Sequence, residues 1–313
     1  MGVMLLKKCV LIMNPESDKV KDKHRLKNVY DILRKYDYDG EIRYTKRKGD
    51  ASEIVKSLDS SIDLVISCGG DGTLNEVVSG NLEREKKLTL ANLPLGTTND
   101  VGNMYGLNGT MLSNLELLLK GKPKKIDVIK INDVPFVYVA CLGDYIDMTY
   151  NTPRELKKKY GRIAYILYGM KQLRNKIHQY ELKYTIDGEE YEGTYSFIFI
   201  TNSSRIAGMD DIYYDIKLND NKFEVALAKV ENKTEMLKLL VMTQTRDIKD
   251  IPGVNYYQTD NLEIEFINPP KTSWCLDGEE YKTSKVHFKF EVDRSTTMLM
   301  PRKNITKLFE REE

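Results

Sequence analysis

The sequence predicts an α/β domain built on a parallel sheet, followed by an antiparallel β domain with few helices. Three observations carry that expectation. The first third alternates period-two apolar runs with helical patterns, as strands linked by crossover helices do. Two glycine-bearing polar turns interrupt it where strands should end. After about Ile126 the pattern changes to repeated strands joined by polar turns. At 313 residues the chain exceeds one small core, so two domains are expected: residues 1–127, completed by 298–313, and residues 128–297.

The elements follow in order. Cys9 to Met13 reads as the first strand. Leu26, Val29, Tyr30, Leu33 and Tyr36 share one helical face, giving a crossover helix. Glu41 to Thr45 is a second strand, Asp50 to Leu58 a helix, and Ile62 to Cys68 a third, apolar strand running into Gly69-Gly70-Asp71-Gly72-Thr73. Leu74, Val77 and Val78 continue as a helix. Leu88 to Leu93 is a fourth strand, ending at Pro94-Leu95-Gly96-Thr97-Thr98-Asn99-Asp100. Ligands of open parallel sheets bind at the carboxyl ends of strands, so the two polar turns are expected to share one crevice. In the second half, strands are expected at Val134 to Leu142, Tyr180 to Ile186, Tyr195 to Thr201, Phe223 to Val230, Leu262 to Ile267 and Val286 to Val292. Between them Arg154 to His178 carries an apolar stripe at helical spacing.

Composition excludes several classes. Lys+Arg 48 against Asp+Glu 47 leaves a net charge of +1, no field for a nucleic acid. Cys9, Cys68, Cys141 and Cys275 lie far apart in or beside apolar runs, with no CxxC pair, and read as reduced core residues of a cytosolic protein. Neither a C2H2 spacing nor an HExxH helix is present, so a zinc site is not expected. No apolar run reaches the roughly 20 residues that cross a bilayer.

The glycines after the third strand let backbone N–H groups approach an anion, and the helix that follows adds its positive end. GxxxxGK[ST], GxGxxG and the protein-kinase HRD and DFG signatures are all missing. The segments GGDGTLNEVVSG, PLGTTNDVGNMYGL and WCLDGEEY, in that order, resemble the bacterial diacylglycerol kinase and YegS-type lipid kinase family. Tyr150-Asn151-Thr152-Pro153, Thr201-Asn202-Ser203 with Ala207-Gly208, and Lys217-Leu218-Asn219-Asp220 extend the similarity over nearly the whole chain. GGDGT alone is shared with NAD kinases and phosphofructokinases; the later motifs separate the families.

The resemblance implies a GGDGT-type α/β nucleotide domain, a C-terminal antiparallel β-sandwich, and transfer of the ATP γ-phosphoryl group to a lipid hydroxyl, with diacylglycerol leading. The lipid is implied to enter a cleft between the domains. Nucleotide contacts carry over to Asn14, Thr45, Gly69, Gly70, Asp71, Gly72, Thr73, Leu74, Asn75 and Thr97, with Asp71 and Asp100 as carboxylates tied to Mg²⁺ and phosphates, a role hard oxygen ligands suit. Asp277 and Glu279 match the catalytic DGE, where Glu279 leads as the base that takes the hydroxyl proton and Asp277 follows. Taken alone, Asp277-Gly278 reads as a hairpin turn. A second, structural Mg²⁺ is implied at Asp220 with the carbonyls of Lys217 and Lys222.

Two departures stand out. Asn221 replaces the glycine usual after that aspartate, and Asn tolerates positive φ. In Asn14-Pro15-Glu16-Ser17-Asp18, Asp18 stands where a glycine is usual after the serine, and would repel triphosphate oxygens. The basic residues Arg154, Lys157, Lys158, Lys159, Arg162, Lys171, Arg174 and Lys176 suit either an anionic bilayer or a solvated face, and Lys122, Lys124 and Lys125 either a basic patch or a charged loop. A cytoplasmic protein meeting its lipid at the inner membrane face is expected. An edge strand leaves a homodimer open. Other lipid alcohols (sphingoid base, ceramide, phosphatidylglycerol), an NAD kinase and a non-catalytic nucleotide or lipid sensor are the alternatives.

Overall fold

The computed structural model describes residues 6–15, 23–144, 177–206, 213, 215–243, 246–302 and 305–310. The chain divides into two compact units, Met1–Asp127 with Arg294–Glu313, and Val128–Asp293.

In the first unit β1 (Lys7–Met13), β2 (Tyr38–Tyr44), β3 (Leu64–Gly69) and β4 (Thr89–Pro94) form a parallel sheet in the order β2-β1-β3-β4. Thr297 and Met298 continue it, pairing in parallel with Thr89 and Leu90. Every residue of β3 is buried, as in a parallel sheet covered on both faces. The cover comes from α1 (Lys23–Lys35), α2 (Asp50–Ser57), α3 (Asp71–Leu82), α4 (Asp100–Met104) and α5 (Met111–Leu119), with α1 on α5 and α2 on α3. The α1 face reads in part from its spacing: Val29 and Leu33 are fully buried and Leu26 and Tyr36 partly so, but Tyr30 is exposed, and the helix ends on Arg34 and Lys35. Helix α5 was not anticipated. Its signal is Thr110, whose side chain caps Ser113 N at 3.2 Å, ahead of an apolar run.

The second unit stacks two antiparallel sheets. One holds residues 128–131 of β5 (Lys122–Ile131) with β6 (Val134–Phe136), and, elsewhere in the sheet, β8 (Tyr180–Ile186), β9 (Glu189–Tyr195), β13 (Asn261–Phe266) and the first part of β16 (His287–Met300). The other runs β12-β11-β10-β7-β14-β15, formed by β7 (Val139–Gly143), β10 (Phe197–Thr201), β11 (Phe223–Ala228), β12 (Val254–Thr259), β14 (Trp274–Leu276) and β15 (Glu279–Tyr281). Burial alternates along β8, as one-sided packing requires. Leu182, Ile264 and Phe288 of the first sheet share one core with Ile200, Val225 and Trp274 of the second. This is a β-sandwich. Trp274 anchors it, with ring centroids 5.4 Å from Phe288 and 5.5 Å from Phe290. Among the described residues of this unit, α6 (Lys233–Met242) is capped by Asn232.

Three expectations change. The single strand expected over Val134 to Leu142 is two, β6 and β7, in different sheets. The N–H groups of Val137 and Tyr138 between them bond to the Asp277 carboxylate instead of a neighbouring strand. Lys122, Lys124 and Lys125 belong to a strand, not a loop. The last strand runs on to Met300. Glu16-Ser17-Asp18, Tyr150-Asn151-Thr152-Pro153, the helix expected from Arg154 except for its final two residues, and Ala207-Gly208 lie outside the described residues.

Candidate active site

The register of the parallel sheet sets up the site in the first unit. Met13 pairs with Tyr44 and Cys68, and Gly69 with Pro94, so the four strands end in one row. Asn14, Thr45, Gly70 and Leu95 therefore emerge side by side at the carboxyl edge. Backbone bonds lace them together. Asn14 N donates to Cys68 O at 3.1 Å, Thr45 N to Met13 O at 3.0 Å, and Leu95 N and Gly96 N both to Gly69 O at 2.7 and 3.1 Å. The two polar turns touch backbone to backbone. A Cβ on Gly96 would stand 2.6 Å from Gly70 Cα, which only a glycine avoids.

Asp71 ties the first turn to the second. Its Oδ2 accepts from Asp100 N at 2.9 Å and its Oδ1 from Val101 N at 3.2 Å, at the start of α4. Asp100 itself is buried. Gly70 precedes α3 with no side-chain cap, so the positive end of that helix lies at the strand ends. Gly72, Thr73 and Asn75 are partly exposed there and Thr97 is exposed, whereas Leu74 buries its side chain completely, so only its main chain can meet a ligand. Glu76 serves the fold, since its two oxygens accept from Gly49 N at 2.8 Å and Ala51 N at 3.1 Å and so fix the start of α2.

Asn99 was not singled out from sequence. It holds φ 52° and donates through Nδ2 to Gly96 O at 2.8 Å, while its buried Oδ1 has no partner among the described residues. A buried, unpaired oxygen between two glycine turns asks for a ligand. The donors present, main-chain N–H groups, hydroxyls, carboxylates and a helix start, suit a metal-bound polyphosphate. The only sequence signal was the Thr-Asn-Asp triplet, which marks a turn.

The second unit carries the remaining candidates. Asp277 (φ 50°) and Gly278 (φ 86°) form a two-residue hairpin turn between β14 and β15, with Leu276 paired to Glu279. Glu279 is exposed. Asp277 is buried, its Oδ2 accepting from Val137 N at 2.7 Å and its Oδ1 from Tyr138 N at 2.9 Å and Val139 N at 3.1 Å.

Asn221 adopts φ 63°, the conformation a glycine would supply. Asp220 Oδ1 accepts from Lys222 N at 3.1 Å and Oδ2 from Gln258 Nε2 at 3.3 Å. Nearby, Glu224 is buried with Oε2 unpaired among the described residues. Burial first, then the charges of Asp220 and Asp247, push its carboxyl up to about 8. Among the described residues no three His, Cys, Asp or Glu side chains are grouped to hold a metal. An ion here would take Asp220 plus main-chain carbonyls such as those of Lys217 and Lys222. The carboxylate and carbonyl oxygens would suit a hard divalent cation.

Residues 8–131 match the family model described as the diacylglycerol kinase catalytic domain. Over 274 residues the chain is 28% identical to a diacylglycerol kinase of Staphylococcus aureus (strain bovine RF122 / ET3-1), spanning 87% of this chain and 86% of the relative. It is 27% identical to a diacylglycerol kinase of Staphylococcus saprophyticus, spanning 87% and 89%. The crystal structure of a diacylglycerol kinase from Bacillus anthracis strain Sterne superposes with a TM-score of 0.76 at 25% identity, covering 95% of this chain and 98% of that one. The fold and these similarities define a lipid kinase of the α/β plus β-sandwich type. Residues 8–131 belong to the diacylglycerol kinase catalytic-domain family, and over most of its length the chain resembles bacterial diacylglycerol kinases.

Proposed function

We propose that this chain phosphorylates diacylglycerol, using ATP and Mg²⁺, to give phosphatidic acid. The observation that carries the reading is the single row of strand ends bearing Asn14, Thr45, Gly69 to Asn75 and Thr97, with Gly70 and Gly96 in backbone contact. Main-chain N–H groups and the start of α3 bind the triphosphate, and the first unit is the nucleotide domain. The lipid hydroxyl oxygen attacks the γ-phosphorus and a new P–O bond forms. The bond to the β–γ bridging oxygen breaks, ADP leaves, and the hydroxyl proton passes to the Glu279 carboxylate. Magnesium, when bound, neutralises phosphate charge; Asp71 and Asp100 are the carboxylates placed at that end of the sheet. Asp220, with the carbonyls of Lys217 and Lys222, holds a second, structural cation. The protein meets its acceptor at the cytoplasmic membrane surface.

The test is a radiolabelled-ATP assay against diacylglycerol, a sphingoid base, ceramide and phosphatidylglycerol in mixed micelles, with products identified by mass, beside an NADP-formation assay. Phosphatidic acid as the main product is expected. Glu279→Ala and Asp71→Ala each lose about 10²-fold or more of the activity. Label in another lipid reassigns the acceptor, NADP formation reassigns the enzyme, and full activity in both variants removes the proposed site.

A further inference from the structure

Glu279 sits on a short hairpin whose strands each hold three residues, Trp274–Leu276 and Glu279–Tyr281. So small a hairpin does not hold a side chain still by its own pairing. The first strand is tied into the sheet, Cys275 and Leu276 pairing with Cys141 and Ala140 of β7, whereas β15 lies at the edge of that sheet. A base displaced by about 1 Å costs up to roughly 10²-fold in rate, so the turn between the two strands needs an anchor of its own.

The Asp277 carboxylate supplies that. It is 4% exposed and accepts three consecutive backbone N–H groups, those of Val137, Tyr138 and Val139, while its own N–H donates to Val139 O at 2.9 Å. The peptide it grips is held from the other side as well. Tyr138 O accepts from Thr201 Oγ1 at 2.5 Å and from Asn202 N at 3.1 Å. The hairpin turn is thereby riveted to β7 and, through Tyr138, to the end of β10. Protonating a carboxylate that receives three amides forfeits charge-assisted hydrogen bonds, so accepting the substrate proton would weaken the clamp.

We propose that Asp277 is a positioning residue: it clamps the 137–139 backbone and so orients Glu279, and is not itself the base. The inference rests on the kinase reading for the role of Glu279. The clamp itself rests on geometry alone.

The test compares wild type, Asp277→Asn, Asp277→Glu and Glu279→Gln by steady-state kinetics and by amide hydrogen exchange. Asp277→Asn keeps one acceptor oxygen and turns an NH₂ toward an amide donor, so exchange at Val137 to Val139 speeds up while kcat falls about 10- to 100-fold with KM for ATP unchanged. Asp277→Glu restores the charge but not the reach, and does not rescue kcat. Glu279→Gln loses kcat with exchange at 137–139 as in wild type. Three results overturn the proposal: full activity in Asp277→Asn despite fast exchange, loss of activity equal to that of Glu279→Gln with exchange unaltered, or rescue by Asp277→Glu. Should Asp277→Asn fail to fold, Asp277→Glu with the exchange map of wild type still decides, because slow exchange at all three amides is required of the clamp. A wild-type protein that phosphorylates no lipid removes the kinase reading, and the exchange data then judge the clamp separately.

Discussion

The carboxylates of this chain differ in what their oxygens accept. Asp71 and Asp277 spend their oxygens on backbone amides. Glu224 has one oxygen on Gln258 Nε2 at 3.3 Å and the other unpaired among the described residues. Its folded carboxyl, about 8 against an ordinary 4.5, is raised chiefly by burial. The native state therefore binds one proton more than the unfolded chain between those values. Stability contributed by Glu224 is full below about pH 4.5, falls as pH rises toward 8, and is level above. Glu224→Gln removes this dependence. In metal-free buffer the melting temperature of the variant relative to wild type should climb between pH 5 and 8.5, and a constant difference would show that Glu224 is ionised throughout.

At the level of elements, the feature with the largest leverage is the contact between the glycine turns after β3 and β4. Gly96→Ala places a methyl 2.6 Å from Gly70 Cα, against main chain that cannot rotate away. Forcing such an overlap costs about 1–3 kcal/mol. Urea unfolding should report a lower midpoint, and calorimetry a weaker ATP affinity, since both turns must shift. Unchanged stability would mean that the turns stand apart. The strands are legible in sequence because β3 is apolar apart from Ser67 and β8 alternates. The three-residue strands β14 and β15 are too short to show any period, and only Asp277-Gly278 marks the turn between them.

Across the whole molecule the chain builds two cores, a parallel sheet under helices and a sandwich. A nucleotide held by the strand-end row stabilises the part that binds it. Adding Mg-ATP should slow amide exchange at Asn14, Thr45, residues 69–75 and 95–100, and leave the β8 and β13 strands of the sandwich core as they were. Protection spread evenly over both units would argue against a local site.

Local pattern carried the parallel sheet, the two glycine turns, the antiparallel half and the family resemblance, because a residue's exposure within its own strand or helix is written in spacing of two or 3.6 residues. What spacing does not contain is the destination of a hydrogen bond. Val137 finds its acceptor 140 residues away, at Asp277, and that bond turns an apparently continuous strand at 134–142 into two strands of different sheets. The same holds for Asn99, a turn residue in sequence whose buried Oδ1 has no partner among the described residues. Backbone amides must be satisfied wherever the chain has folded them, and which distant side chain does so is settled in three dimensions.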